Sequence, residues 1–235
     1  MTYLLIPSIS IILPVINEAD GIVDALRPLQ SLRHEGIAEI IVVDGGSRDD
    51  TVSLATAWAD AVIQARPGRG RQMNAGAALA TGKIFLFLHA DTRLPDDAAQ
   101  AIRNAVGSGA SWGRFDVVIA GSLAGLSMVA TMMNWRSRLT GIATGDQAIF
   151  VTRELFTRVG GFPGIPLMED ITLSETLCSL VKPACLRQRV VTSGRRWEKH
   201  GLWQTIIKMW WLRLRFHFGA DPICLAREYG YAVSE

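Results

Sequence analysis

Short apolar runs alternate with segments of helical spacing over the first part of the chain. The apolar runs contain Ile, Val, Leu and Phe without polar alternation, and they lie at residues 9–13, 40–43, 61–63 and 84–88. The segments between them have the length and periodicity of helices, and they lie at residues 22–33, 51–59 and 72–80. Buried strands separated by helices predict a mostly parallel sheet flanked by helices, and hence an α/β, Rossmann-like fold.

The pattern changes after Asp91. Pro95 opens a segment that we expect to be helical to about residue 106. The spacing further along predicts strands at residues 111–119 and 147–152, and helices at residues 123–138, 153–159 and 203–218. No stretch rich in Pro, Ser or Gly marks a boundary, so we predict one domain over residues 1–235.

The composition is that of a globular protein. Of the 235 residues, 49% are hydrophobic and 20% are charged, which excludes a mainly disordered chain. Three cysteines without a Cys-x-x-Cys pair argue against a disulfide framework or a zinc site and favour the cytoplasm. The apolar N-terminus lacks a basic leader, so we interpret it as the entry to a strand, and residues 117–135 as a packed or interfacial helix.

Positive charge is concentrated near the C-terminus, although the net charge of the chain is only +2. Residues 182–217 contain nine lysines or arginines and one acid, Glu198. Such a segment indicates a local anionic partner or a solvated positive face. Within it, residues 203–218 are either a helix that docks on an anionic membrane or a core helix with snorkelling Lys208, Arg213 and Arg215.

Polar or charged residues follow each of the four early strands. Ligands of an open parallel sheet bind outside the carboxyl ends of its strands, so we expect these residues to share one edge. They are Pro14, Asn17 and Glu18 after the first strand, Asp44 after the second, Arg66, Arg69 and Arg71 after the third, and His89 and Asp91 after the fourth.

Each of these groups has a chemical interpretation and a plainer one. Asp44 precedes two glycines and is suited to accept hydrogen bonds from a nucleobase or ribose, or else it closes a turn. The arginines around Gly68 and Gly70 suit phosphate recognition, or they form a solvated basic loop. Asp91, two residues after His89, suits a divalent cation that neutralises a diphosphate.

Two later motifs carry further candidate chemistry. Glu169 and Asp170 precede an amphipathic run and are either acids at a helix N-terminus or a general base at the mouth of a site. Two arginines and a tryptophan at residues 195–197 suit a diphosphate or a sugar face, and His200 follows them.

The order of these motifs resembles that of family 2 glycosyltransferases with the GT-A fold. Residues 11–18 resemble the family's opening strand and Pro-x-x-Asn-Glu turn, and residues 42–51 resemble its Asp-Asp-Gly-Ser-x-Asp-x-Thr box. Residues 74–76 and 81–84 resemble the stretch before the Asp-x-Asp strand. His89-Ala90-Asp91 takes the place of Asp-x-Asp, Glu169-Asp170 matches the acceptor-side motif, and residues 193–197 lie where processive members carry Gln-x-x-Arg-Trp.

A finer resemblance is to a bacterial subgroup associated with radical-SAM, selenium-related and arsenosugar genes. It rests on residues 145–147, 166–170 and 193–197. Two departures from the wider family matter chemically. His89 replaces the first Asp of Asp-x-Asp, and Ser193 replaces the Gln of processive members, which argues for a single transfer and against polysaccharide synthesis.

The resemblance implies an inverting transfer of a sugar from a UDP- or GDP-linked donor to a small or lipid-linked acceptor, assisted by Mn²⁺ or Mg²⁺. Residues 1–110 would bind the nucleotide sugar, and residues 111–235, with a C-terminal helix, would form the acceptor side. The implied location is cytoplasmic, with the inner face of the membrane as a further contact, and no nucleic acid partner is implied.

The resemblance also implies roles for individual residues. Asp170 would be the general base, with Glu169 beside it, and Asp91 would hold the metal, with His89 and His200 as further candidate ligands. The substrate-binding set would be Pro14, Asn17, Glu18, Asp44, Arg66, Arg71, Asn74, His89, Asp146, Arg195, Arg196 and Trp197.

Two other functions remain open at this point. A sugar-nucleotidyltransferase would use a similar sheet, but it would need a glycine-rich phosphate loop after the first strand, which residues 14–18 lack. A nucleotide-binding or membrane-docking scaffold without activity is the other, and the carboxylates Asp44, Asp91 and Asp170 argue against it.

Overall fold

The computed structural model describes residues 8–231, and their strands form one eight-stranded mixed sheet. The strands are β1 (Ile9–Val15), β2 (Ala38–Asp44), β3 (Ala61–Gln64), β4 (Ile84–Phe87), β5 (Thr92–Arg93), β6 (Trp112–Ala120), β7 (Phe150–Thr152) and β8 (Ala184–Ser193). Their order across the sheet is β3-β2-β1-β4-β7-β6-β8-β5. Strands from both halves of the chain thus belong to the same sheet, with β4 bonded to β7.

Helices cover the sheet. They are α1 (Ile22–Leu26), α2 (Gln30–His34), α3 (Thr51–Thr56), α4 (Arg69–Leu79), α5 (Ala98–Gly107), α6 (Leu126–Thr140), α7 (Arg153–Arg158), α8 (Glu169–Leu180), α9 (Arg195–His200), α10 (Leu202–His217) and α11 (Pro222–Tyr229). Two 3₁₀ turns occupy Arg27–Leu29 and Gly145–Gln147.

The first four strands are parallel, as their sequences predict. β1, β2 and β4 are buried on both faces, whereas β3, at the edge of the sheet, is only partly buried. Ile40 and Val42 of β2 belong to a core cluster with residues of α1, α3 and α5. Ile41 and Val43, whose side chains point the other way, belong to a second cluster with residues of α4, α7 and α8. Continuous apolar sequence is therefore required, because each face of these strands packs against helices. The predicted α/β fold is confirmed.

Two early helices differ from the prediction. The helix expected over residues 22–33 is divided by the 3₁₀ turn that contains Pro28, which has no N–H to donate. The helix expected from residue 72 begins earlier, so Arg69 and Arg71 lie in the first turn of α4 and not in a loop. The predicted strand entry is found at Ile9, while residues 1–7 lie outside the described part of the chain.

The second half departs further from the prediction. The strand expected from residue 147 begins only at Phe150, because Gly145–Gln147 form a 3₁₀ turn and Ala148 has φ +48°. β7 is antiparallel to both neighbours, whereas β8 runs parallel to β6 with an irregularity between Phe115 and Asp116. The strands β5 and β8 and the helices α9 and α11 are additions to the predicted elements.

The structure shows the conformation of the two apolar segments for which membrane contact is considered. The stretch 117–135 is divided between β6 and α6, so it is not one helix. One side of α10 packs on apolar clusters, with Thr205 and Leu212 buried, whereas Trp203, Ile207 and Trp210 are exposed. The core-helix and membrane-docking interpretations of residues 203–218 both stay predictions. Across residues 8–231, none of the helices combines the length and the apolar character that a membrane crossing requires.

Candidate functional site

The carboxyl ends of β1 and β2 are joined by hydrogen bonds between their following turns. The Asn17 N–H donates to Ser47 Oγ at 2.8 Å, and Asn17 Oδ1 accepts from the Arg48 N–H at 2.8 Å. The Glu18 N–H donates to Thr51 Oγ1 at 2.8 Å. These contacts make the two turns one unit and hold Glu18 at the sheet edge.

Asp44 anchors the turn after β2. Its side chain is fully buried, and its oxygens accept from the backbone N–H groups of Gly46 at 2.9 Å and Ser47 at 3.0 Å. Of the two interpretations of Asp44, the turn-closing one is therefore realised in the structure. Pro14 is buried within β1, opposite Val43, and it stiffens the strand that leads to the edge.

Gln72 of α4 fixes the helix beneath the same edge. Its amide nitrogen donates to the backbone oxygens of Val15 at 2.9 Å and Val43 at 2.8 Å, which are at or near the ends of β1 and β2. The Gln72 side chain is buried, so these bonds are shielded from water. The first turn of α4, with Arg69, is held close to the strand ends as a result.

A carboxylate pair with one arginine lies where β1 and β4 end. Arg195 Nη2 is 3.8 Å from Glu18 Oε2. Burial raises the pKa of Glu18 above its ordinary value; the Arg195 charge opposes this, and the charge of Asp91 adds to it. Glu18, Asp91 and Arg195 are therefore near enough to interact electrostatically, although they come from three separate segments of the chain.

His89 and Asp146 form the next pair along the edge. Nδ1 of His89 is 3.4 Å from Oδ1 of Asp146. Burial lowers the pKa of His89, but the hydrogen bond and charge of Asp146, with the charge of Asp91, outweigh burial and leave it raised. The pKa of Asp146 is lowered, since the contact with His89 overcomes the effect of burial. The His89 ring rests against Gly145, where a Cβ would clash with it.

Glu169 and Arg69 form a buried ion pair behind Asp146. Arg69 Nε is 2.8 Å from Glu169 Oε1, without the angle of a hydrogen bond, and the side chains are 34% and 2% exposed. Burial raises the pKa of Glu169; the charge of Arg69 opposes this, and that of Asp170 reinforces it. Glu169 thus faces Arg69, while Arg69 also lies 5.6 Å from the ring of Tyr231.

Asp170 is the more open of the two acids at the start of α8. Its Oδ2 accepts from the Gly145 N–H at 2.9 Å, and its Oδ1 accepts from the Ile171 N–H at 2.8 Å. Two backbone donors thus fix the orientation of a half-buried carboxylate next to the His89–Asp146 pair. Such a carboxylate keeps lone pairs with which to accept a proton from a neighbouring hydroxyl.

Backbone strain is concentrated at this edge. Among the described residues, three that are not glycine have positive φ: Asn17 at +52°, Ala148 at +48° and Met168 at +69°. Asn17 adjoins Glu18, Ala148 follows the turn with Asp146, and Met168 precedes Glu169 and Asp170. Strained conformations of this kind cluster at functional sites, so they mark this edge as the candidate active site.

Several residues of the substrate-binding set have other contacts. The Asn74 amide is taken by the backbone of Phe162, from which its Oδ1 accepts and to which its Nδ2 donates. Arg66 and Arg71 are exposed. Trp197 packs against an apolar cluster that includes Leu126.

The remaining candidates lie on α9. Arg196 lies 4.2 Å from the centre of the Tyr229 ring and its charge acts on Asp146, so it belongs to the edge. Burial raises the pKa of Tyr229 to about 12, so this phenol stays neutral beneath the arginine. His200 is exposed at the end of the helix.

Sequence reasoning names Arg69 as a phosphate-binding candidate but misses its partner Glu169, and it misses the role of Gly145. The signal for Arg69 is its position within a helix that starts before residue 72. Gly145 supplies both the N–H to Asp170 and the space for His89. Its sequence signal is only its place beside Asp146, which says nothing about a contact 25 residues away.

The described residues do not include a ready-made metal cage. Within residues 8–231, no group of three His, Cys, Asp or Glu side chains is arranged to hold a metal ion. A hard divalent cation is commonly held by one or two carboxylates while substrate phosphates supply further oxygens. Asp91, whose charge acts on Glu18 across the edge, fits a site of that kind.

Comparison with known proteins agrees with this description. The model of the family "Glycosyl transferase family 2" matches residues 10–147. An uncharacterized glycosyltransferase of Mycobacterium tuberculosis is 31% identical over 92% of this chain and 88% of its own. Fold and site thus define a glycosyltransferase. The chain belongs to glycosyl transferase family 2, which argues against the nucleotidyltransferase and scaffold alternatives.

Solved structures share the fold. A mannosyltransferase from Pyrobaculum calidifontis in complex with GDP-Man and Mn²⁺ is 22% identical, with a TM-score of 0.64 over 97% of this chain and 66% of its own. Glucosyl-3-phosphoglycerate synthase from Mycobacterium tuberculosis, in complex with Mn²⁺, UDP and glucosyl-3-phosphoglycerate, is 23% identical, with a TM-score of 0.56 over 79% and 71%. The predicted GT-A fold is confirmed, and this chain spans about two thirds of the mannosyltransferase.

Proposed function

We propose that this protein transfers a sugar from a UDP- or GDP-linked donor to an acceptor hydroxyl with inversion at the anomeric carbon. One observation carries the proposal. The charges of Asp91, His89, Asp146, Arg69 and Asp170 act on one another along a single edge of the sheet. Residues 1–110 would form the donor side of this edge and residues 111–235 the acceptor side.

The donor diphosphate would lie near Asp91. Asp91 would hold Mn²⁺ or Mg²⁺, the ions bound in the homologous structures, together with phosphate oxygens. When bound, the ion supplies positive charge against the negative charge that develops on the departing nucleoside diphosphate. Arg195 and Arg196 contribute further positive charge on the same side, and Asn17 and Glu18 line the turn that would face the nucleoside.

Asp170 would act as the general base. Its carboxylate would take the proton from the acceptor hydroxyl as the oxygen attacks the anomeric carbon opposite the leaving diphosphate. A single base and no covalent sugar intermediate are sufficient for inversion. Glu169 would act indirectly, because its buried carboxylate is paired with Arg69 and holds the start of α8.

The experiment is to replace Asp170 with asparagine, which keeps the shape and removes the basic oxygen. We expect Asp170→Asn to bind nucleotide and Mn²⁺ as the wild type does, in a thermal-shift assay, and to lose transfer by about 10²- to 10⁴-fold. Asp96→Asn, at an exposed position, is the matched control. Equal loss of nucleotide binding in Asp170→Asn would move the residue to the donor site.

A second experiment addresses the metal. Asp91→Ala should lose the Mn²⁺-dependent part of nucleotide binding and all transfer, because the phosphates then lack the bridging ion. The measurement is a nucleotide titration with Mn²⁺ and with a chelator. Full activity of Asp91→Ala in the presence of Mn²⁺ would remove Asp91 from the metal site.

Membrane contact is a further part of the proposal. Large exposed apolar side chains form a stripe along α10 and its C-cap: Trp203, Ile207, Trp210, Trp211, Leu214 and Phe218. The helix α6 also exposes large apolar side chains: Met128, Met132, Trp135 and Leu139. A tryptophan-rich stripe within the basic segment 182–217 suits the interface of an anionic bilayer, which at the inner membrane face would bring a lipid-linked acceptor within reach.

Vesicle binding tests the membrane contact. The protein should sediment with phosphatidylcholine vesicles that contain phosphatidylglycerol, and less with phosphatidylcholine alone. Trp210→Ala/Trp211→Ala should weaken this binding, whereas Leu79→Ala, at an exposed position on α4, should not. Unchanged partition between buffer and anionic vesicles would refute the contact, and a concentration-dependent dimer would assign the stripe to a second copy.

The number of sugars transferred is a further part of the proposal. Ser193 in place of the Gln of processive members favours a single transfer to a small or lipid-linked acceptor. Similarity at residues 145–147, 166–170 and 193–197 favours the subgroup associated with radical-SAM, selenium-related and arsenosugar genes. Product analysis by mass spectrometry tests the number of sugars transferred. A ladder of products with several sugars would contradict a single transfer.

A further inference from the structure

A cavity of about 340 Å³ lies between α6, α8 and α10. Arg136 and Arg213 enter it from opposite helices, and Ile142, Ile171 and Phe216 contribute apolar wall. Because the charge of Asp170 acts on Arg136, the cavity lies near the candidate base. It lies in the half of the chain to which the acceptor is assigned.

The two arginines of the cavity lack partners. Arg136 Nε, one Nη nitrogen of Arg136 and Arg213 Nε are shielded from water, and within residues 8–231 they have no hydrogen-bond acceptor. Other partly buried arginines of this protein do have carboxylates, as Arg138 has Asp116 at 2.7 Å. An unsatisfied buried donor costs on the order of 1–3 kcal/mol. Nε of Arg69 and Nε of Arg114 are also unpaired, but those guanidinium groups have carboxylate partners, whereas no ion pair joins Arg136 or Arg213 to a described carboxylate.

Electrostatics support the same interpretation. Burial lowers the pKa of Arg136; the charge of Asp170 opposes this, and the charge of Arg114 adds to it. The cation is therefore incompletely compensated, although Asp170 is near enough to act on it. Glu175 also lines the cavity and makes no ion pair with either arginine.

We infer that this cavity binds an anionic group of the acceptor, a phosphate or a carboxylate, through Arg136 and Arg213. The inference rests on the proposed function, because it assigns the acceptor to the side of Asp170. Guanidinium groups recognise planar or tetrahedral oxyanions through paired N–H donors, and two guanidinium groups without a carboxylate partner among the described residues line this cavity. The hydroxyl that receives the sugar would lie between the anion and Asp170.

Inorganic phosphate and octyl phosphate are the probes. Isothermal titration measures their affinity for the wild type, Arg136→Gln, Arg213→Gln and the control Arg158→Gln, an exposed residue of α7. Loss of a charged hydrogen bond predicts a phosphate affinity that is roughly tenfold to hundredfold weaker in each cavity variant. The control variant should bind phosphate as tightly as the wild type does. Glu175→Gln should bind phosphate more tightly, since it removes a repelling charge.

The two probes distinguish the sources of the anion. If the natural group belongs to an amphiphile, octyl phosphate should bind more tightly than inorganic phosphate, because the alkyl chain covers the wall formed by Ile142, Ile171 and Phe216. Equal affinity indicates a free, small phosphorylated acceptor. Either result supports an anion site, since both probes share the phosphate.

Folding and rescue controls complete the test. Replacing either arginine removes unsatisfied buried donors, so thermal unfolding without phosphate should not fall in the glutamine variants. Arg136→Lys should regain part of the phosphate affinity. Undiminished phosphate binding in Arg136→Gln and Arg213→Gln would overturn the inference while leaving the proposed function intact. Phosphate binding at the arginines without nucleotide binding would instead refute the proposed function.

Discussion

Replacing Arg69 with methionine removes the cation that faces the buried Glu169 carboxylate. The two groups are 2.8 Å apart, and Glu169 is 2% exposed whereas Arg69 is 34% exposed. Water can therefore reach the guanidinium but not the carboxylate, and most of the penalty falls on Glu169. Loss of one partner from a buried pair costs about 3–5 kcal/mol, and the partial exposure of Arg69 favours the lower end, about 3 kcal/mol.

The pH dependence gives the sharper test. Burial already raises the pKa of Glu169 from 4.5, and the loss of Arg69 should raise it further. The folded variant then holds a proton that the unfolded chain releases above its ordinary pKa, so stability falls as pH rises. Since one pKa unit corresponds to about 1.36 kcal/mol, lowering the pH from 7 to 5 should recover up to about 2.7 kcal/mol relative to the wild type.

Thermal unfolding at pH 7 and pH 5 measures both effects. For a domain of this size about 1 kcal/mol shifts Tm by about 2–4 °C, so Arg69→Met should lose about 6–12 °C at pH 7. The double variant Arg69→Met/Glu169→Gln should recover most of this loss, because the neutral amide needs no cation. Arg158→Met, at an exposed position of α7, is the control. A loss under about 1 kcal/mol at pH 7, or an equal loss at pH 5, would refute a buried, dehydrated Glu169 carboxylate.

Two glycine substitutions give further predictions. Gly145→Ala should displace the His89 ring, which a Cβ would overlap, and NMR titration should find the raised pKa of His89 returning toward 6.5. In the wild type the stability from this raised pKa is present below about pH 6.5 and is lost as pH rises through the folded-state pKa; a variant with an unchanged histidine titration would contradict the contact. Gly76→Ala should destabilise by about 1–3 kcal/mol in urea unfolding, because its Cβ would lie 2.5 Å from Ile12 Cγ2. Gly107→Ala, with no atom within 4 Å, should be neutral or stabilising, and equal effects would sink the packing argument.

The front of the fold could be predicted because its signals are local. Continuous apolar runs such as that of β2 are compatible only with strands covered on both faces, and the helices between them follow their own periodicity. β8 could not be predicted in this way. Arg187 and Arg189 interrupt its apolar pattern, and its bonding partner, β6, lies far away in the sequence.

The candidate site, too, could be predicted only in part from the sequence. The residues after β1, β2 and β4 could be assigned to one edge, because parallel strands end together. The partners of these residues could not. Asp44 closes its own turn, Glu169 is occupied by Arg69, and Asn74 is occupied by the backbone of Phe162.

The sequence by itself determined the order of strands and helices in the first half of the chain. It also determined the sheet edge at which the candidate functional side chains lie and the types of these side chains. Only the tertiary structure decided which charged side chains at this edge pair with one another. Periodicity reflects the burial of apolar surface, which each segment reports separately. Charge pairing depends on distances between segments and on the water that each group loses, and Arg69 meets Glu169 only because α4 and α8 pack together at the strand ends.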